Sequence, residues 1–265
     1  MPEPSTIRLP VSAYIRTLNE ARMIGEVVRA ALQVADEVVV VDCGSTDGTR
    51  EIAAEAGARV IEQAWLGNGH QKRVAEDAAK HDWLLDLDAD EIVSPALAEE
   101  MRALFSGGEP PFKVYRTMLA LAPPVGAPWR DFGLQTRHKL YDRRAVRAPA
   151  HEAWDQFEIP AGLGVGRLHE PILHYAFTGA EQFMAKLNRN SSVRAKALPL
   201  KSKSYLALRI LFGMPFYVAK KYFLQQYFRG GVYGFALAMM SGYGRWLRDV
   251  KMWERAAQKN QDPAP

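Results

Sequence analysis

The stretch EVVVVDCGSTDGT, residues 37–49, decides the fold class. Four valines that end in an aspartate are typical of a strand buried on both faces of a parallel sheet, and the small polar residues that follow are typical of a turn into a helix. Other apolar runs predict strands over residues 11–15, 58–62 and 83–87, with segments of helical periodicity between them. Short strands that alternate with helices predict an α/β fold with a mostly parallel sheet.

The rest of the chain is expected to be less regular at first and then helical. Helical periodicity covers residues 20–34, 49–56, 70–80 and 95–105 in the first part. A cluster of glycines and prolines follows, and residues 112–178 read as short strands and loops. Helices are then predicted over residues 181–197, 205–228 and 232–259.

The composition excludes several classes of protein. The chain has 265 residues, of which 48% are hydrophobic and 24% are charged, so it is neither disordered nor of low complexity. Its single cysteine excludes a framework of internal disulfides. The charge is uneven, because residues 1–185 carry a balance of −8 and residues 186–255 carry +12. A basic C-terminal quarter predicts a local anionic partner, either a membrane surface, a nucleic acid or an acidic substrate.

The sequence gives no indication of export or of membrane spans. The first ten residues, MPEPSTIRLP, lack the basic flank and apolar run of a signal peptide, so we expect the protein to stay inside the cell. The most apolar late stretches, residues 205–219 and 232–243, are shorter than the roughly 20 apolar residues that a spanning helix needs.

Two motifs follow predicted strands and could bind a ligand. The loop at residues 40–49 leaves a strand at its carboxyl end, where open parallel sheets bind ligands, and Asp42 could accept hydrogen bonds from a base or a sugar. The sequence DLDADE, residues 86–91, ends another strand with acids that suit Mg²⁺ or Mn²⁺. The alternatives are an ordinary turn capped by Ser45 and Asp47, and a solvated acidic turn before the helix at Pro95.

Two further motifs are weaker. GNGHQKR, residues 67–73, matches neither GxGxxG nor GxxxxGK; Lys72 or Arg73 could approach a phosphate, or the loop could simply begin a helix. APAHEAWDQF, residues 148–157, contains Glu152 and Asp155, either of which could act as a general base if burial raised its pKa, although a surface glutamate is the simpler reading. His169 and His174 are expected to be structural, because neither HxH nor HExxH spacing is present.

The order of these motifs resembles that of the family 2 glycosyltransferases with the GT-A fold. The resemblance rests on VSAYIRTLNE (residues 11–20), the stretch at 37–49, GNGHQKRVAEDAA (67–79) and WLLDLDADE (83–91). From HEAW through PILHYAF and LNRNSS to the aromatic, basic tail, the chain is similar to the bacterial lipopolysaccharide core β-glucosyltransferase branch. The resemblance implies a GT-A domain over residues 1–178, with a nucleotide-sugar half (7–110) and an acceptor half (111–178). A helical, membrane-proximal appendage over residues 179–259 and a disordered tail over 260–265 would follow.

The resemblance also implies roles for individual residues. Those that would bind the UDP-sugar are Thr17, Asn19, Glu20, Asp42 toward uracil, Lys72, and Asp88 toward ribose. Asp90 would bind the divalent metal, Mg²⁺ or Mn²⁺, on the diphosphate. Glu152 would be the catalytic base, and Asp155 is the neighbour that could replace it.

Three features depart from the family pattern. Arg16 stands where the family more often has proline or an apolar residue, and Cys43 replaces the second Asp or Ser of VDDGS or VDSGS. We expect neither to destroy the nucleotide site. The stretch from Leu121 to Pro128 and the following WRDFGLQTRHK differ from the acceptor side of the branch, which leaves the acceptor open.

The resemblance implies an inverting transfer of a hexose, glucose in that branch, from a UDP-sugar to a saccharide acceptor of lipopolysaccharide core or a related envelope glycan. The acceptor would be lipid-linked, and the protein would be cytoplasmic and peripherally attached to the inner face of the cytoplasmic membrane. Transfer to a polyprenyl phosphate is an alternative, but it predicts longer hydrophobic helices. A nucleic-acid-binding module could use the basic quarter, yet no zinc spacing, RNA-binding motif or basic heptad is present, so we expect no nucleic acid partner.

Overall fold

A computed structural model describes residues 8–152 and 154–258 and divides them into two compact units. The sheet unit comprises the described residues up to 120 together with 135–174, and the helical unit comprises residues 121–134 and 175–258. The segment 121–134 groups with the helices, which the sequence did not indicate. The predicted tail at 260–265 lies outside the described residues, and the predicted domain limits stay a prediction.

The sheet unit contains one mixed sheet, and its α/β fold class is confirmed. Its described strands are β1 (Leu9–Thr17), β2 (Ala35–Asp42), β3 (Arg59–Glu62), β4 (Trp83–Asp88), β5 (Glu91–Val93), β6 (Val114–Leu121), β7 (Gln135–Asp142), β8 (Val165–Arg167) and β9 (Ile172–His174). They lie in the order β3-β2-β1-β4-β7-β6-β9-β5, and β8 pairs with β6. The first four strands in this order are parallel, as the sequence predicts. Beyond β4 the pairs β4–β7, β7–β6 and β9–β5 are antiparallel. For β6 and β7 this is expected, because the described chain between them contains no helix that could form a parallel crossover.

Four helices connect the strands of the sheet unit: α1 (Ile24–Ala31), α2 (Thr49–Glu55), α3 (Asn68–Ala78) and α4 (Pro95–Phe105). Helix α1 is shorter than predicted, because residues 20–23 form a turn in which the Met23 amide donates to the Glu20 carbonyl. A buried cluster that includes Tyr14, Leu84 and Tyr141 joins β1, β4 and β7 beneath α3. Packing of apolar side chains on these central strands fixes the positions of the strand ends.

The carboxyl ends of the three central strands meet at one edge of the sheet. Thr17 of β1 is in register with Asp42 of β2, and Arg16 is in register with Asp88 of β4. The predicted ligand loops therefore share one edge, as expected for parallel strands.

The helical unit contains α5 (Ala180–Ala197), α6 (Lys203–Ala219) and α7 (Gly231–Gln258). The prediction of one helix over 205–228 was wrong, because α6 ends at Ala219 and is followed by a π-helical turn (Lys220–Leu224) and a 3₁₀ turn (Tyr227–Gly230). Gln226 has a left-handed backbone with φ of 59°, which an α-helix cannot contain. Among the described residues, no helix has the length and apolar content needed to cross a bilayer.

Candidate active site

Asp42 shapes the loop that follows β2. Its side chain is buried, and it accepts hydrogen bonds from the amides of Gly44 (3.0 Å) and Ser45 (2.8 Å) and from the Ser45 hydroxyl. Of the two predicted capping residues, Asp47 contacts the start of the helix, since its carboxylate accepts from the Thr49 amide at 3.1 Å, whereas the Ser45 hydroxyl donates to Asp42. The two readings of this loop are therefore compatible, because Asp42 fixes its start and Asp47 fixes the start of the helix.

The residues after β1 pack against that loop. The Asn19 amide donates to Ser45 Oγ at 2.8 Å, and Asn19 Oδ1 accepts from the Thr46 amide at 2.9 Å. The Glu20 amide donates to Thr49 Oγ1 at 2.8 Å. These contacts hold the two loops together and leave their backbone at the sheet edge.

Thr17 also lies at this edge, at the end of β1. Its residue surface is 4% exposed, and its hydroxyl has no hydrogen-bond partner among the described residues. A buried hydroxyl that lacks a partner costs free energy, so Thr17 Oγ1 is suited to a ligand atom.

The acids at the end of β4 are surrounded by buried cations. Lys139 Nζ lies 2.6 Å from Glu91 Oε2 and 3.9 Å from Asp88 Oδ2, and Arg16 Nη2 lies 3.3 Å from Asp88 Oδ1. Although burial alone would raise the pKa of Asp88, the charges of Lys139, Arg16 and Lys72 lower it below its usual value. Burial, opposed by Lys139 and assisted by the Asp88 charge, raises the pKa of Glu91 to about 7.

Asp90 lies next to a histidine that the sequence reading had treated as structural. Strand β9 pairs with β5 and places His174 opposite Glu91, so that His174 Nε2 is 3.5 Å from Asp90 Oδ1. Burial would lower the pKa of His174, but the hydrogen bond to Asp90 and the charges of Asp90, Glu91 and Asp88 raise it. This neighbour was missed because strand pairing, and not local spacing, brings the two side chains together.

Lys72 is buried and engaged by two carboxylates. Its side chain is 3% exposed, and its ammonium lies 2.5 Å from Asp86 Oδ2 and 3.3 Å from Asp155 Oδ2. Lys72 therefore joins the end of β4 to the segment that carries the two candidate bases.

Arg16, the departure from the family pattern, joins three parts of the site. Its guanidinium contacts Asp88, Asp155 at 3.0 Å, and the side chain and carbonyl of Asn68 at 3.2 Å. A proline or apolar residue at this position could make none of these contacts.

The GNG loop supports the segment that carries the candidate base. The Asn68 amide donates to the Glu152 carbonyl at 2.7 Å, and the Gly69 amide donates to the His151 carbonyl at 2.9 Å. A Cβ at Gly69 would lie 2.0 Å from the Pro149 carbonyl oxygen, so no side chain fits there. This loop therefore binds protein backbone, a role that the sequence did not indicate.

The two candidate bases have different surroundings. Glu152 is exposed, whereas the side chain of Asp155 is 28% exposed and pairs with Arg16 and Lys72. Burial would raise the pKa of Asp155, but the charges of Lys72 and Arg16 lower it. A carboxylate engaged by two cations is a poor proton acceptor, and the exposure of Glu152 agrees with the simpler reading of a surface glutamate, so the identity of the base stays a prediction.

The site thus brings together, within the sheet unit, the loops after β1 and β2, the acids that follow β4 and the segment that contains Glu152 and Asp155. Thr17, Asn19, Asp42, Asp88 and Asp90 all lie at the carboxyl ends of the parallel strands or immediately after them. Within the part of the chain that the structure describes, no three His, Cys, Asp or Glu side chains are arranged to hold a metal by themselves.

Comparison with known proteins places this arrangement in a family. The model of "Glycosyl transferase family 2" matches residues 12–147. An uncharacterized glycosyltransferase of Rickettsia bellii is 32% identical over 94% of this chain and 88% of its own length. The lipopolysaccharide core biosynthesis glycosyltransferase LpsC of Rhizobium meliloti is 27% identical over 95% of both chains.

Among solved structures, glucosyl-3-phosphoglycerate synthase from Mycobacterium tuberculosis, in complex with Mn²⁺, UDP and glucosyl-3-phosphoglycerate, is 26% identical. The likeness covers 41% of this chain and 43% of that chain, with a TM-score of 0.35. This likeness is too partial to identify a ligand of the present chain.

Proposed function

This chain belongs to glycosyl transferase family 2, and we propose that it is an inverting enzyme that transfers a hexose, glucose, from a UDP-sugar to a saccharide acceptor. The observation that carries the proposal is the shared edge at which the loop after Asp42 meets Asp88 and Asp90, beside the segment bearing Glu152. The likeness to LpsC supports lipopolysaccharide core, or a related envelope glycan, as the acceptor class.

The proposed donor site uses the loop edge. Asp42 would face uracil, and Asp88 would accept hydrogen bonds from ribose. Thr17, Asn19 and Glu20 would border the nucleotide, with the buried Thr17 hydroxyl as a donor that has no hydrogen-bond partner among the described residues. Lys72 would lie near the nucleotide and neutralise Asp86 and Asp155.

The donor set at the acid edge fits a divalent cation, Mg²⁺ or Mn²⁺. Asp90 offers a carboxylate and His174 an imidazole at the same position, and Mg²⁺ sites are usually completed by substrate phosphates around one or two protein ligands. Asp90 would hold the ion, with His174 beside it. When bound, the cation would neutralise negative charge that develops on the diphosphate leaving group.

Glu152 would accept the proton of the acceptor hydroxyl. As that oxygen forms a bond to the anomeric carbon, the bond between this carbon and the UDP oxygen breaks, and UDP leaves with the electron pair. A single displacement of this kind inverts the anomeric configuration. The Asn68 and Gly69 amides would position the backbone next to Glu152, and Asp155 remains the substitute base.

The helical unit is proposed to bind the inner face of the cytoplasmic membrane peripherally, where a lipid-linked acceptor would be found. Leu211, Phe212 and Phe216 of α6 are 71%, 66% and 65% exposed, and the exposed Lys201 and Lys220 flank that helix. Exposed apolar side chains flanked by cations suit an anionic lipid surface.

A calorimetric titration tests the donor proposal. We expect UDP to bind the wild-type chain more tightly with Mn²⁺ than with EDTA, and more tightly than ADP or GDP. Asp90→Asn should remove the effect of Mn²⁺, whereas Glu55→Gln, at an exposed position on α2, should retain it. UDP binding that is equal with Mn²⁺, with EDTA and in Asp90→Asn would contradict the metal role of Asp90.

A further inference from the structure

A cavity of about 230 Å³ lies in the sheet unit where β6, β7 and β8 meet. Its lining residues are Arg116, Thr117, Met118, Thr136, Arg167 and Leu168. The volume is below that of most pockets for drug-sized ligands, about 300–1,000 Å³, so it suits one charged group or one sugar residue.

The two arginines of this cavity have no matching negative charge. Arg116 and Arg167 are in register on neighbouring strands, and neither forms an ion pair with a carboxylate among the described residues. The contact of Arg167 Nη2 is with the Met118 sulfur, at 3.7 Å. The less exposed cations Arg16, Lys72 and Lys139 of the same unit contact carboxylates, whereas Arg116 and Arg167 are exposed. Two adjacent guanidinium groups without an anion favour the binding of one.

A neighbouring histidine, His138, is affected by the positive charge of Arg116. His138 is in register with Arg116, and its pKa is lowered by burial and by the Arg116 charge. A negatively charged group in the cavity would reduce this repulsion.

The cavity lies on the sheet face that carries the candidate base segment. The His138 ring stacks on Phe157 with ring centroids 5.8 Å apart, and Phe157 follows Asp155 by two residues. In the strand order the donor loop is at β2 and β1, the acids are at β4, and the cavity is at β7, β6 and β8. It is therefore on the side of the acids that is opposite the donor loop, where an acceptor would have to approach.

We propose that this cavity binds an oxyanion, phosphate or carboxylate, of the acceptor saccharide. The proposal rests on the proposed function, because it assigns the acceptor a charge. Arg116 and Arg167 would supply charged donors, and Thr136 would supply a hydroxyl. The acceptor would thus be an anionic saccharide, held by its charged group while one of its hydroxyls reaches Glu152.

Ligand-observed NMR titrations of the full chain can test this with three probes that share one ring: glucose 6-phosphate, glucuronate and glucose. We expect the charged sugars to bind wild type more tightly than glucose, and their difference identifies phosphate or carboxylate as the preferred group. Arg116→Gln/Arg167→Gln should weaken binding of the charged sugars at least about tenfold, since each charge-assisted hydrogen bond contributes strongly. Glucose binding should not change.

Arg137→Gln is the matched control. Arg137 is an exposed arginine of β7 whose guanidinium contacts the Thr136 carbonyl and Gln135 and does not line the cavity. It should bind the charged sugars as wild type does. Arg167→Lys, which keeps the charge but not the planar donor pair, should show an intermediate loss and would guard against misfolding of the double variant.

Equal binding of all three sugars by wild type, or an undiminished preference for charged sugars in the double variant, would overturn the inference. Each sugar is titrated both in the presence and in the absence of UDP and Mn²⁺. If wild type fails to bind UDP, the proposed function fails while the sugar comparison still stands. If UDP binds and the charged sugars show no preference, the cavity proposal alone fails.

Discussion

Cations have opposite surroundings in the two units of this protein. In the sheet unit, Lys139 contacts Glu91 and Asp88, and although burial lowers the pKa of Lys139, these carboxylates raise it above its usual value. In the helical unit, burial and the Arg245 charge lower the pKa of Lys221 to about 8. Arg245 itself has a lowered pKa, because burial and its cationic neighbours, of which Arg248 has the largest effect, disfavour its charge.

The difference shows where the positive charge of the chain is available to a partner. In the helical unit the buried Asp249 is shared by Arg209 and Arg248, so it cannot neutralise the remaining cations. Most of the exposed large hydrophobic side chains also belong to this unit. The sheet unit thus pairs its buried cations with acids, whereas the helical unit combines excess positive charge with exposed apolar side chains.

The largest effect is expected for the proposed base, Glu152, which lies in the sheet unit. Glu152→Gln keeps shape and hydrogen bonding but cannot accept a proton, so turnover should fall by about 10²–10⁴-fold. UDP affinity, measured by calorimetry, should barely change. Glu158→Gln, at an exposed position in the same segment, should be as active as wild type. Retained turnover in Glu152→Gln, together with a loss in Asp155→Asn, would transfer the role to Asp155.

The pairing of buried charge in the sheet unit can be broken directly. Lys72→Met leaves Asp86 buried without its cation, so the free energy of unfolding in urea should fall by about 3–5 kcal/mol. Lys80→Met removes the exposed pair with Asp36, which solvent screens, so it should cost much less than Lys72→Met. Addition of Asp86→Asn to Lys72→Met should recover part of the loss. Equal costs for Lys72→Met and Lys80→Met would contradict the buried pairing.

The sequence predicted those parts of the site that local order determines. Strand ends and the loops after them are contiguous motifs, so Asp42, Asp88 and Asp90 could be assigned to one edge. The contact between Asp90 and His174 depends on pairing of β5 with β9. No local spacing encodes such a pair.

Other features also depend on tertiary packing. The pattern GNGHQKR predicted a helix start. Its hydrogen bonds to the segment that contains Glu152 also require the backbone near Pro149 to approach Gly69. The contact between the Lys72 ammonium and Asp86 depends on the packing of α3 against the sheet, which the local sequence does not determine. The end of α6 was missed because apolar periodicity continues through the left-handed residue Gln226.

The charge that the helical unit retains should be measurable as membrane affinity. We expect the chain to sediment with anionic vesicles at low salt, to be partly released by high salt, and to bind neutral vesicles less well. Lys201→Glu/Lys220→Glu should weaken anionic binding more than tenfold, because each basic residue near the surface contributes about 1 kcal/mol. These residues are better targets than Lys221, which is half-buried, or Arg229, which pairs with Asp131.

Arg8→Glu/Arg137→Glu makes the same change in net charge on the sheet unit and should leave vesicle binding nearly unchanged. UDP affinity should be unaffected by the substitutions in the helical unit. Equal binding to neutral and anionic vesicles at every salt concentration would remove the electrostatic role of this unit.

The smallest effect concerns the free-energy cost of keeping a charge on the half-buried Lys221. Because its pKa of about 8 lies below the ordinary value of 10.5, the unfolded chain holds more protons between these two pH values, and the stability of wild type should rise with pH across that window. Lys221→Met removes the cost, so it should be more stable than wild type at pH 7 by on the order of 1–2 kcal/mol, after allowance for the lost contact with the Tyr227 hydroxyl. The advantage should shrink by pH 10.5, where the amine is neutral in the folded chain and half neutral in the unfolded chain. Urea denaturation of both proteins at the two pH values measures this difference. Other titrating groups contribute equally to both proteins and therefore cancel. Lys220→Met, at an exposed position, should show no such gain. A stability difference that is the same at both pH values would mean that the cations of the helical unit are compensated after all, and the contrast with the sheet unit would be lost.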